Sequence, residues 1–231
     1  MKSAGGPSVR EAVSMSVRVR VEAEAVDRLA ELGLSVEIVQ RTIQRADAEA
    51  ALCTPMDPPS MEGWTRWGRT TRFLREALVP AGWTFDNPRN LARTVHPSGE
   101  FAVVATSGDA MTGRAQGRPT TRNPKGEATE RAVQVNEQLT LDLGNLIRLP
   151  GSGRTDDTWD LRTWYLLYYA DREEFRAELS LPATIQNGWI TDWIERIILP
   201  PLPRQDTPVA APASPDDEDP FGEIVVEVNR R

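Results

Sequence analysis

The side chains with the most chemical potential in this sequence are arginines. Arg66, Arg69, Arg72 and Arg75 recur every third residue between Gly63 and Leu78, interrupted by Phe73. On a helical wheel they sweep the half opposite Trp64, Trp67, Thr71, Leu74 and Leu78. Guanidinium groups beside an exposed aromatic ring hold phosphates and stack bases. A solvated face whose arginines pair with nearby carboxylates accounts for the same residues.

A second basic group follows in Arg114, Arg118, Arg122 and Lys125. The run Thr120-Thr121-Arg122-Asn123-Pro124-Lys125-Gly126 leads into a helix start. Amide N–H groups and the helix dipole favour an anion there. The spacing departs from a P-loop, so only a generic phosphate contact is implied. Together the two groups predict a non-catalytic binding module for nucleic acid or another polyanion. The alternative is a small metal-dependent hydrolase or nuclease using His96, Asp109 and Glu127, with Glu100 and Lys125 nearby in sequence. That reading requires those three side chains to converge in one cleft.

One histidine and one cysteine, His96 and Cys53, exclude sites built from several imidazoles or thiolates, as well as an intrachain disulfide. Neither composition nor motif implies a cofactor. Apolar runs are too short to span a bilayer, and the first residues lack a secretory h-region, so a cytoplasmic chain is expected. The net charge of −7 is unevenly spread, with +1 on residues 1–150 and −8 on 151–231.

The elements that must position these groups read as follows. Residues 1–14 form a leader. Val17, Val19 and Val21 alternate with charges, as in a half-exposed strand, and Ala23 to Leu32 is helical. Ser35 caps a helix whose buried stripe is Val36, Val39, Ile43, Ala46, Ala50 and Cys53. Val26–Arg41 has helix-turn-helix-like spacing one residue short before Gly33, which would rotate the first helix's packing face; two packed helices around a glycine turn explain the same residues and are preferred.

Further along, a helix over 63–78, strands around the turn 96–99, a long loop over 107–125 and a helix from Ala128 to Leu139 are predicted. Trp164–Tyr169 reads as a central strand paired in a hairpin with Phe175–Leu181. Asn187-Gly188 marks a turn. Trp189 to Ile198 is assigned as a helix from its wheel, with a strand as the alternative. Most of the seven tryptophans are expected in the core, with Trp159 at the surface.

The fold class is therefore α+β: a mainly antiparallel sheet packed against three or four helices, over residues 15–202. Residues 203–231 are expected to be a disordered acidic and proline-rich tail. Its segment Phe221, Ile224, Val226 and Val228 has strand propensity suited to binding a protein partner by strand addition.

Overall fold

The computed structural model describes residues 16–144 and 161–204, with side chains described up to residue 140 in the first stretch. The leader, Trp159 and the tail residues Phe221, Ile224, Val226 and Val228 lie outside the described residues.

Eight strands form one mixed, mostly antiparallel sheet. They are β1 (Arg18–Arg20), β2 (Thr84–Asp86), β3 (Arg93–Val95), β4 (Phe101–Ser107), β5 (Arg162–Ala170), β6 (Glu174–Gln186), β7 (Trp189–Ile198) and β8 (Leu202–Pro203). The order is β1-β7-β6-β5-β4-β3-β2, with β8 also on β6. Two neighbouring pairs run parallel, β4 with β5 and β1 with β7.

Helices α1 (Glu22–Glu31), α2 (Val36–Ala50) and α3 (Met61–Leu78) contribute to the core on one face. There Leu29, Val39, Ile43, Leu74 and Leu78 meet Val103, Trp164, Leu166, Leu179 and Ile197. The Ser35 hydroxyl accepts from the Ile38 amide, as its N-cap position requires. Gly33, with φ of 68°, turns the chain between α1 and α2. The second face carries α4 (Glu127–Gly144), whose Ala132 and Val133 cluster with Val104, Tyr165, Leu167, Ile190 and Trp193. No helix among the described residues is long and apolar enough to cross a membrane.

The segment expected to be a helix over 189–198 is β7. Asn187 (φ 50°) and Gly188 (φ 80°) form a two-residue left-handed turn, matching the twist of paired strands. Glu195 and Arg196, placed by the helical wheel on a solvent face, are buried in the sheet. Glu195 pairs with Arg20 and Arg28, and Arg196 with Glu178.

The strand β6 contains Pro182, which has no N–H to give. Its register with β7 shifts there, and its pairing with β5, which spans Phe175–Ser180, ends before it. The backbone of Thr163 is thereby left without β6 as a partner. The buried side chain of Asn136 fills in, donating to the Thr163 carbonyl at 2.9 Å and accepting from its amide at 2.8 Å.

The long segment between β4 and α4 is irregular but tied down. Ser107, Gly108 and Asp109 pair with Thr120–Arg122 through backbone hydrogen bonds and a bridge. Beyond them the loop lies on β6 and β7. Arg196 donates to the carbonyls of Gly117 and Arg114, Trp193 to Pro119, and Arg176 to Ala110. Glu178 accepts from the Gly113 amide.

Candidate functional site

Parallel strands end with their carboxyl termini on the same side, which is where open sheets commonly build ligand sites. At this end of β4 and β5 lies an open pocket of about 810 Å³. Such a volume suits a nucleotide-sized group. It is lined by Thr106 and Ser107 from β4, by Gly108 just after that strand, and by Tyr168, Tyr169 and Ala170 from β5. The start of α3 adds Gly63, Trp64, Arg66 and Trp67 to the lining, and the end of the long loop adds Arg122, Asn123 and Lys125. Arg204 closes the rim.

Each group is held by a neighbour. The indole N–H of Trp67 donates to the Ala105 carbonyl at 3.1 Å, fixing its ring at the sheet end. Trp64, one turn earlier on α3, is 66% exposed and Trp67 is 44% exposed. Arg122 is placed by its amide, which donates to the Ser107 carbonyl at 2.9 Å. Lys125 is placed by the β6–β7 turn, since its amide donates to the Gly188 carbonyl at 2.7 Å. A Cβ on Gly188 would lie 2.8 Å from the Lys125 carbonyl oxygen, so only glycine fits.

The cations differ in their company. Arg66 bonds Asp47 at 2.9 Å and Glu62 at 2.5 Å. Burial works against its charge, yet these carboxylates raise its pKa overall. Arg204 donates to the same Asp47 at 3.1 Å and to the Asp171 carbonyl at 2.8 Å. Arg122 is exposed and has no carboxylate partner among the described residues. Lys125 Nζ donates to Thr106 Oγ1 at 2.8 Å, and burial pulls its pKa below the usual lysine value. Burial pushes the Tyr168 phenol up to about 12, so that part of the lining stays neutral. Two cations without a carboxylate partner among the described residues thus line the same pocket as two exposed indoles.

Of the residues singled out in the sequence, Arg66, Arg122 and Lys125 come together here. The remaining arginines of α3 do not. Arg69 is bound to Glu49, and Arg72 to Glu76 at 2.7 Å. Arg75 caps the Asp86 and Arg93 carbonyls and the Asn87 side chain, with Phe85 against its guanidinium. Phe73 is buried rather than exposed, under Arg45 at 3.8 Å. The expected uncompensated arginine face on α3 is therefore absent: three of its arginines are paired with carboxylates, and Arg75 is turned onto neutral acceptors. Arg114 is exposed, and Arg118 lines a separate cleft with Val17, Val19, Trp193 and Arg196.

The three residues of the hydrolase alternative are dispersed. His96 stacks on Phe101 and meets the edge of Trp83 before β4 begins. Asp109 follows the other end of that strand, on the order of 20 Å away at the usual rise per residue. It accepts from the Met111 amide at 3.0 Å and from Thr120. Glu127 faces a shallow cleft with Arg89, Asn90 and Leu91. No group of three or more metal-ligating side chains gathers among the described residues.

The sequence reading missed Trp64 and Trp67 as surface groups, as well as Tyr169 and Arg204, whereas Asn123 belongs to the basic run it had singled out. One signal was present. Gly63 and Gly68 flank the two tryptophans, and the space around each is open. Two interior glycines cost a helix roughly 1 kcal/mol each, which is hard to reconcile with a face built for dense packing. Among known proteins, no family model, curated sequence or solved structure matches this chain.

Proposed function

We propose that the protein is a non-catalytic module that holds single-stranded nucleic acid by one or two nucleotides in the pocket between α3 and the end of the long loop. The observation that carries the reading is the pairing of two cations that lack a carboxylate, Arg122 and Lys125, with two exposed indoles, Trp64 and Trp67. Phosphates are held by the cations while a base lies against an indole, a combination that tolerates any base. A concave opening favours unpaired nucleotides over a duplex, whose bases are already stacked on each other. The acid-paired arginines of α3 serve the fold and add little to binding.

The test is fluorescence anisotropy with a labelled single-stranded decanucleotide across a salt series. Affinity is expected to fall with salt. Replacing Arg122 with Ala and Lys125 with Met together should flatten the log–log slope by about 1.4, at roughly 0.7 per phosphate contact. Trp64→Ala should weaken binding by about 1–3 kcal/mol. Absence of binding at low salt, or an unchanged slope in the double variant, removes the proposal.

A further inference from the structure

Positive charge in this chain is written almost entirely as arginine: of its 27 lysines and arginines, only Lys2 and Lys125 are lysines. Lys125 is thus the one lysine among the described residues, and it lines the pocket. For holding a phosphate a guanidinium would serve at least as well, since its fork bonds two oxygens at once. What only the amine offers is a lone pair once its proton is gone. The surroundings favour that form. Lys125 is half-buried, its Nζ has no carboxylate partner among the described residues, and burial lowers its pKa. Nζ lies 2.8 Å from the hydroxyl of Thr106, a residue only 4% exposed. The Gly188 carbonyl holds the Lys125 backbone in place. A desolvated amine fixed in a pocket is the setting in which lysine condenses with a carbonyl group.

We propose that Lys125 captures an aldehyde carried next to a phosphate and, resting on the reading of the pocket as a nucleic-acid site, that this aldehyde is C1′ of an abasic nucleotide in single-stranded DNA. A nucleotide that has lost its base opens its sugar to that aldehyde, whereas an intact nucleotide offers the amine no electrophile. Arg122 holds the flanking phosphate while a neighbouring base lies against Trp64. The Nζ lone pair attacks C1′, and the carbonyl π pair moves onto oxygen. Both amine hydrogens pass to that oxygen, which leaves as water as the C=N bond forms. The Thr106 hydroxyl is placed to relay one of them, accepting from Nζ and giving its own proton to the departing oxygen. No oxidant or further reactant is needed. The step is reversible, stoichiometric capture without turnover.

The full chain is incubated with a single-stranded decanucleotide carrying one central abasic site, and sodium cyanoborohydride reduces the imine to a stable amine. Intact mass and peptide mapping then locate the adduct on the unaltered protein. One strand per chain is expected on Lys125, formed at least about tenfold faster than on Lys2. No adduct, or one that favours Lys2 or the N-terminal amine, overturns the inference. Lys125→Arg keeps a cation but should abolish capture, and an adduct of undiminished yield in it also overturns the inference. Thr106→Val should slow capture by about tenfold and Thr106→Ser restore it, whereas an unslowed Thr106→Val overturns the relay. Glycolaldehyde phosphate, a free phosphorylated aldehyde, separates this inference from the reading beneath it. Binding of the intact decanucleotide with no adduct from either aldehyde overturns the capture alone. An adduct of glycolaldehyde phosphate on Lys125, with neither strand bound nor captured, upholds the amine chemistry and removes nucleic acid as the ligand.

Discussion

Replacing Glu178 with Ala probes how the site is supported from behind. Glu178 is fully buried on β6, with Arg196 of β7 beside it at 3% side-chain exposure. Its oxygens accept from Arg196 Nε at 2.9 Å, Arg196 Nη2 at 2.5 Å, Ser180 Oγ at 2.7 Å and the Gly113 amide at 2.9 Å. Alanine removes every one of these and strands a buried guanidinium that still holds the Gly117 and Arg114 carbonyls. Breaking a buried pair from one side costs about 3–5 kcal/mol. For a domain of this size, a melting temperature about 6–20 °C lower follows. Urea denaturation followed by far-ultraviolet circular dichroism gives the number directly. An apolar double variant, Glu178→Leu with Arg196→Met, removes the unpaired charge and should recover at least half of the loss. A cost below about 1 kcal/mol for Glu178→Ala, or a double variant no better than either single change, would refute the reasoning.

Four further outcomes follow from the same geometry. Gly188→Ala places a Cβ against the Lys125 carbonyl in a left-handed turn; it should cost about 1–3 kcal/mol in urea and weaken decanucleotide binding. Asn136→Ala orphans both backbone groups of Thr163, and a loss of about 2–5 kcal/mol is expected in the same measurement. Gly63→Ala should stabilise α3 by about 0.5–1 kcal/mol while lowering affinity, because its open space belongs to the pocket. The last concerns pH. The pKa of Lys125 is lowered in the folded chain, so the unfolded chain binds its proton more tightly. Stability from this group therefore rises with pH between the lowered and ordinary lysine values. Affinity for an anion falls over the same window as the ammonium is lost. Stability and affinity titrations that both lose their slope in Lys125→Met check the two signs; trends running the other way would contradict them.

How much of this could be read from residues alone depends on the range of the interaction. The helices and the hairpin of Trp164–Tyr169 with Phe175–Leu181 announce themselves through local spacing and turn chemistry. So does the Ser35 cap. The stretch 189–198 misled because its apolar residues satisfy a helical wheel. The four isoleucines and the preceding Asn-Gly turn carried the opposing signal, since branched side chains and left-handed turns favour a strand. Glu195 and Arg196 look like surface residues until partners more than a dozen residues away are known. The arginines of α3 pose the same difficulty: whether Arg66 and Arg69 are free or neutralised depends on Asp47 and Glu49, which sit on another helix. Arg122 and Lys125 were legible as cations, but what brings them into one pocket with Trp64 and Trp67 is long-range: Ser107 places Arg122, Gly188 places Lys125 and the Ala105 carbonyl holds Trp67.

The parallel pairing of β1 with β7 joins Arg18 to Glu195, nearly the full described span apart. A ribosome will have emitted the first strand long before β7, its sheet partner among the described residues, exists. Until β7 emerges, Arg20 and Arg28 have no Glu195 to neutralise, and α1 lacks the surface it packs on. Closing so long a loop is entropically slow, so this corner of the sheet should be the last to assemble during synthesis and the first to open under stress.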